Sequence, residues 1–241
     1  SALGLLSHHG VDVLLLGGDY LWVPDSLISS FFKPFRNQRY AGLSEGQVAS
    51  PVLHDLAQAC ARQAPPDGII GVMGNHDMWT SPATVREAFG KSKIRLLENS
   101  SLEILRGAAR LEILGVADYW TGRPHFPAKI SRENKRTARV LLSHNPDYVS
   151  GLLRKHQQLV NNLQASGPAF DLALCGHTHA GQIRLPIVGA LNYNIRDNRF
   201  GEGLVSSGQH QVLTSAGIGV VEIPYRINCP GEASVVTLLA A

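Results

Sequence analysis

Short apolar runs recur along the chain, and most end in glycine or serine followed by polar residues. Residues 11–16 run into Gly17-Gly18-Asp19, and 69–73 into Gly74-Asn75-His76-Asp77. Residues 140–142 run into Ser143-His144-Asn145, and 172–175 into Gly176-His177-Thr178-His179. Runs this short and this apolar predict strands buried on both faces. Residues 48–62 instead place Val52, Leu56 and Ala59 at helical spacing. Pro146 suits a first helical position with Asn145 as cap, opening a helix to about residue 163. Strands alternating with helices predict an α/β layered fold. Residues 94–116 read as a hairpin or meander. Residues 211–239 read as strands punctuated by Gly217, Gly219, Pro224 and Pro230.

No repeat, low-complexity tract or Gly/Ser-rich linker divides the chain, so residues 1–241 are expected to form a single domain. A composition of 44% hydrophobic and 17% charged residues belongs to a folded chain rather than a disordered one. The net charge of +3 is too mild to predict a nucleic-acid groove. Cys60, Cys175 and Cys229 are too scattered for a disulfide framework or zinc ribbon, and Cys175 is expected in the core. No apolar stretch reaches the length of a membrane span. The chain starts at Ser1, so an anchor or further segment upstream is compatible with the sequence.

The polar residues after the four apolar runs share one placement, the carboxyl end of a predicted strand, where open α/β sheets bind ligands. Singly, a Gly-Asp or a lone His is ordinary turn chemistry. Jointly, Asp19, Asn75, His144, His177 and His179 predict a metal site. A carboxylate can serve two cations through its two oxygens, and Asp19 suits that role. Neutral imidazoles bind manganese, iron or zinc, and an Asn carbonyl adds a neutral oxygen. In an extended segment, the His-x-His spacing puts both rings on one side, within reach of adjacent ions.

These segments resemble the successive motifs of calcineurin-like metallophosphoesterases, over nearly the whole chain. Residues 143–147 (SHNPD), 176–186 (GHTHAGQIRLP) and 226–230 (RINCP) resemble in particular a bacterial membrane-associated or exported branch. That branch includes enzymes hydrolysing the pyrophosphate of UDP-2,3-diacylglucosamine. The resemblance implies a two-sheet β-sandwich flanked by helices, a four-layer αββα fold, holding two divalent metal ions. Manganese is the expected metal, with iron, zinc or magnesium as alternatives. Asp19 would bridge the ions; Asn75, His144 and His177 would complete one position, and His179 would belong to the other. His76 would serve as general acid or charge stabiliser. Asp77 would orient His76, or alternatively cap the helix that follows.

Members of the family open with Asp-x-His at the end of a first strand, and none of the residues before Asp19 forms that motif. The expectation is that the first strand lies outside these residues, leaving the second metal position with Asp19 and His179. Residues 20–46 bring Tyr20, Trp22, Phe31, Phe32, Phe35 and Tyr40 together with Lys33, Arg36 and Arg39. They read as a packed loop or as a lid making peripheral membrane contact. Trp120, Arg123 and His125 are candidates to line the substrate cleft. The leading expectation is a dimetal hydrolase of phosphodiester or pyrophosphate bonds, with a lipid-linked phosphate ester as one substrate class and no specific nucleic-acid partner. A phosphomonoesterase or nucleotide phosphodiesterase on soluble substrates, and an inactive scaffold with this fold, are the alternatives.

Overall fold

The computed structural model describes residues 10–22, 45–127, 137–161 and 170–239. Leu14–Leu16 (β1), Ile69–Gly71 (β2) and Ile94–Leu96 (β3) form a parallel sheet in that order. Glu45–Ala61 (α1), Asn75–Thr80 (α2) and Pro82–Lys91 (α3) connect its strands. A second sheet starts with the hairpin of Ser100–Arg106 (β4) and Ala109–Gly115 (β5). Thr137–Ser143 (β6) and Leu172–Cys175 (β7) follow, separated by helix Pro146–Asn161 (α4). After the small hairpin Arg184–Leu185 (β8) and Gly189–Ala190 (β9) come Gly203–Ser207 (β10) and His210–Thr214 (β11). The second sheet has the order β10-β11-β7-β6-β5-β4, with parallel central strands and an antiparallel strand at each edge.

The period of two along each strand builds the layers. Ile69 packs toward Leu53, Ala57 and Cys60 of α1 and Val85 and Phe89 of α3, while its neighbour Ile70 packs with Ile113, Val140 and Leu172. In the second sheet Ile113 and Val140 face the first sheet, whereas Leu114 and Leu141 pack with Val149 of α4, Phe170 and Phe200. Every buried strand therefore needs apolar residues on both sides, which is why the runs were legible. The result is helices, sheet, sheet and helix, the layering expected of a two-sheet sandwich. Burying a ring such as Phe89 contributes about 1.5–3 kcal/mol.

Some expectations need correcting. Residues 94–116 contain the expected hairpin, but their first strand joins the other sheet. Lys93 and Asn99 have positive φ on either side of β3, which pairs with β2, and only β4 and β5 make a hairpin. The tail is not a set of strands: beyond Thr214 the described backbone is irregular, with positive φ at Gly217, Glu222 and Asn228. Asn145 does cap α4, its Oδ1 accepting the Asp147 N–H at 2.8 Å. Cys60, Cys175 and Cys229 are all buried free thiols. Among the described residues no helix is long and apolar enough to cross a membrane.

Candidate metal centre

The carboxyl ends of β1 and β2 in one sheet and of β6 and β7 in the other meet at a single edge. β1 ends in Gly17-Gly18-Asp19, β2 leads through Gly74 to Asn75, β6 delivers His144 and β7 delivers His177. The two sheets touch here directly: His144 Nδ1 donates to the Gly17 carbonyl at 2.7 Å. Gly18, at φ +96, leaves no room for a side chain, since a Cβ would press on Gly74 N and His144 Nδ1. At Gly74 a Cβ would overlap the Asp19 carboxylate itself.

Four acceptor atoms converge at this edge. Asp19 Oδ2 lies 3.1 Å from His144 Nε2, and Asn75 Oδ1 lies 3.2 Å from the same nitrogen. His177 Nδ1 stands 3.0 Å from Asn75 Oδ1 and 3.2 Å from His144 Nε2. The outer ring nitrogens are committed elsewhere, His144 Nδ1 to Gly17 and His177 Nε2 to the Asn194 carbonyl at 3.3 Å. A neutral ring that donates outward presents its other lone pair inward. Lone pairs of two imidazoles, an amide and a carboxylate facing one another repel unless a cation lies among them. Donors bound about 2.1 Å from a common ion stand roughly 3–3.5 Å apart, so these residues fit one divalent metal. Asn75 and His144 are buried, and His177 is only 9% exposed.

A proton answers part of this demand when no metal does. Burial works against a charged His144, but the Asp19 charge and the bonds to Asp19 and Gly17 outweigh it and hold its pKa at about 9. Burial likewise opposes the Asp19 charge, yet His144 beside it keeps the carboxyl down at about 2. Burial and then the His144 charge push His177 down to about 3, so that ring is neutral. Metal must therefore displace the His144 proton. At pH 7 uptake of one divalent ion is expected to release about one proton. Affinity should rise by up to tenfold per pH unit toward pH 9 and then level. The metal-free fold has the opposite dependence. A folded pKa raised from 6.5 to about 9 contributes stability that is complete below pH 6.5 and lost as pH rises through 9. Calorimetric titration of Mn²⁺ in two buffers of different ionisation enthalpy reads the proton count; none released at pH 7 would remove this linkage.

Of the two tasks expected of Asp77, the geometry fits the cap rather than a bond to His76. Its Oδ2 accepts from Asp19 N at 2.8 Å and Gly74 N at 2.9 Å, and its Oδ1 from Tyr20 N at 2.7 Å and Leu21 N at 3.1 Å. Its hydrogen bonds among the described residues are to amides, not to His76. It is buried, and sits at the third position of α2 as the acidic half of a capping box with Gly74. Burial first, and then the Asp19 charge, push its carboxyl up to about 7 against the pull of the amides. Asp77 thus ties the loop after β1 to the loop after β2. Asp19 itself holds φ 57, a strained conformation for a non-glycine residue, and its Oδ1 accepts the His76 N–H at 2.9 Å.

The two histidines after β7 do not lie side by side as an extended segment would place them. His177 has φ 68 and His179 φ 51, and a 3₁₀ turn begins at His179–Gly181. His177 joins the cluster with Asp19 and His144, whereas His179 Nδ1 lies 3.5 Å from Arg226 Nη2. Burial, with Arg226 adding to it, pushes His179 down to about 4 although Asp19 pulls it up.

Around the cluster stand aromatic rings. His76 contacts Trp22 at 6.5 Å and Trp79 at 5.1 Å between centroids, both edge-on. Trp120 lies 4.6 Å from the His177 ring. Arg123 and His125, expected beside it, instead engage Asn99 through backbone groups. Tyr20 belongs to the packing, donating to the Val72 carbonyl at 2.6 Å and resting on Phe89. Phe31, Phe32, Phe35 and Tyr40 lie outside the described residues, so the expected lid falls there. Trp79 was not singled out from the sequence; its signal was a tryptophan three residues beyond His76, one helical turn on.

A two-sheet sandwich that gathers a carboxylate, an amide and two imidazoles at its sheet ends is the make-up of a metallophosphoesterase fold. Residues 2–181 match the family model of the calcineurin-like phosphoesterases, and the chain belongs to that family. Phosphodiesterase YaeI of Escherichia coli is 30% identical over 228 residues, spanning 95% of this chain and 70% of that protein. The uncharacterized metallophosphoesterase YkuE of Bacillus subtilis is 26% identical, spanning 72% of this chain and 57% of its own length. The chain thus spans only part of the curated relatives it matches. Among solved structures, the 5'-nucleotidase precursor from Thermus thermophilus aligns over 84% of this chain and 48% of its own, at 11% identity and a TM-score of 0.41. Calcineurin-like phosphoesterases use divalent metals.

Proposed function

We propose that this chain hydrolyses a phosphodiester or pyrophosphate bond at a centre whose first cation is held by Asp19, Asn75, His144 and His177. The observation that carries the reading is the convergence of four acceptors, with both imidazoles locked inward by the Gly17 and Asn194 carbonyls. A divalent ion held by these four residues would supply charge to polarise the phosphoryl group. Asp19, with one oxygen toward His144 and the other on the His76 amide, would share a second cation with His179. His76 stands beside the cluster on the first turn of α2. Burial lowers its pKa, and an anionic ester beside it would favour the protonated ring that a general acid to the leaving oxygen needs.

The expected result is hydrolysis of bis-p-nitrophenyl phosphate by the metal-loaded chain, abolished by a chelator and restored by Mn²⁺. His76→Ala should then lower turnover about a hundredfold on diesters with poor leaving groups, and less on p-nitrophenyl esters. Equal losses on both would make His76 a charge stabiliser rather than an acid. No metal-dependent turnover on any ester would leave the scaffold reading standing. A lipid-linked diphosphate is the finer reading, supported by the exposed Leu185, Ile187, Val188 and Leu191 around the β8–β9 hairpin. Equal rates on an acylated diphosphate and its deacylated counterpart would remove the lipid from it.

A further inference from the structure

We propose that Trp79 and Trp120 form a wall beside the metal cluster that binds a planar ring of the phosphoester, aryl or nucleobase. The inference rests on the proposed function and names the substrate group that site prefers. Trp79 is 58% exposed and Trp120 41%, so neither indole is placed to fill the core. Their centroids are 6.1 Å apart and their planes differ by 34°, so the two indoles touch at a tilt and form one aromatic patch. Each is braced edge-on by a histidine of the site: Trp79 by His76 at 5.1 Å, Trp120 by His177 at 4.6 Å. The wall is therefore continuous with the donor cluster, and a ligand held at the cluster by its phosphorus group brings its organic group against it.

The backbone behind Trp120 is fixed. Asp118 Oδ2 accepts from Trp120 N at 3.0 Å, Thr121 N at 2.8 Å and Thr121 Oγ1 at 2.7 Å. Trp79 is fixed by the helix whose third residue, Asp77, carries four amides. Preorganised aromatic faces bind a planar ring with little ordering cost. Offset aromatic contacts favour that ring over a saturated one of similar size.

The test is binding of phenylphosphonate against cyclohexylphosphonate to the Mn²⁺-loaded chain by calorimetry. Neither is hydrolysed, so the result does not depend on turnover. The wild type is expected to bind the phenyl compound about fivefold more tightly. Trp79→Ala and Trp120→Ala should each bring the two within about twofold, and Trp→Phe at either position should keep most of the preference. Equal binding of both compounds by the wild type, or a preference that survives both Ala variants, would overturn the wall. Failure of both phosphonates to bind would overturn it together with the metal site. A phenyl preference in a protein that hydrolyses no ester would sink the enzymatic reading and leave the wall intact.

Discussion

Asp19→Asn is expected to lower metal-dependent hydrolysis by about a hundredfold to a thousandfold while leaving both sheets folded. Asn still offers one oxygen to the His76 amide, so the loop after β1 keeps that contact. The other carboxylate oxygen, 3.1 Å from His144 Nε2, is replaced by an amide nitrogen that donates where a cation needs a lone pair. The negative charge that raises His144 also disappears, so the proton released on metal uptake at pH 7 should fall toward zero. Metal content by mass spectrometry, turnover and proton release together check the result. Near-normal turnover with metal still required would remove Asp19 from the site.

Asp77→Ala is expected to cost at least about 3 kcal/mol of stability, because it strands buried amides on two loops at once. For a domain of this size that is a fall of roughly 6–12 °C in Tm. Activity should drop about a hundredfold as well, since displacing the Asp19 loop by an ångström is enough to misplace the reacting groups. Asp77→Asn retains one acceptor oxygen and should fall between the two. Thermal unfolding with and without Mn²⁺ separates the effects: metal partly restores stability if the cluster can still assemble. A Tm within about 1 °C of wild type for Asp77→Ala would show that the four amides find other partners.

Much of this site was legible in the chain itself. A strand buried between two layers has to be apolar on both faces, and its end has to turn polar where it leaves the core. The runs before Asp19, Asn75, His144 and His177 marked both facts, and the resemblance to a known family ordered the ligands. The cap on Asn145 was legible for the same local reason, since an Asn preceding a helical Pro has a nearby amide to satisfy. The backbone of the His177 and His179 pair was not legible, because the spacing was read as an extended segment. Left-handed φ values at both residues divide them, and Arg226, far along the chain, faces the second ring.

What the sequence determined, then, is the set of candidate donors and the strand ends that carry them, because residue type and apolar periodicity are local properties. What only the tertiary structure decided is their orientation and surroundings. The carbonyl of Gly17 sets the tautomer of His144 across 127 residues of chain, and Asp77 gathers amides 56 to 58 residues away. Trp79, on the helix after β2, meets Trp120, in the turn after β5 of the other sheet. Such contacts depend on how two sheets pack, on the turn each loop takes and on which polar atoms burial leaves in need of a partner. None of these is encoded in the spacing of residues within a segment.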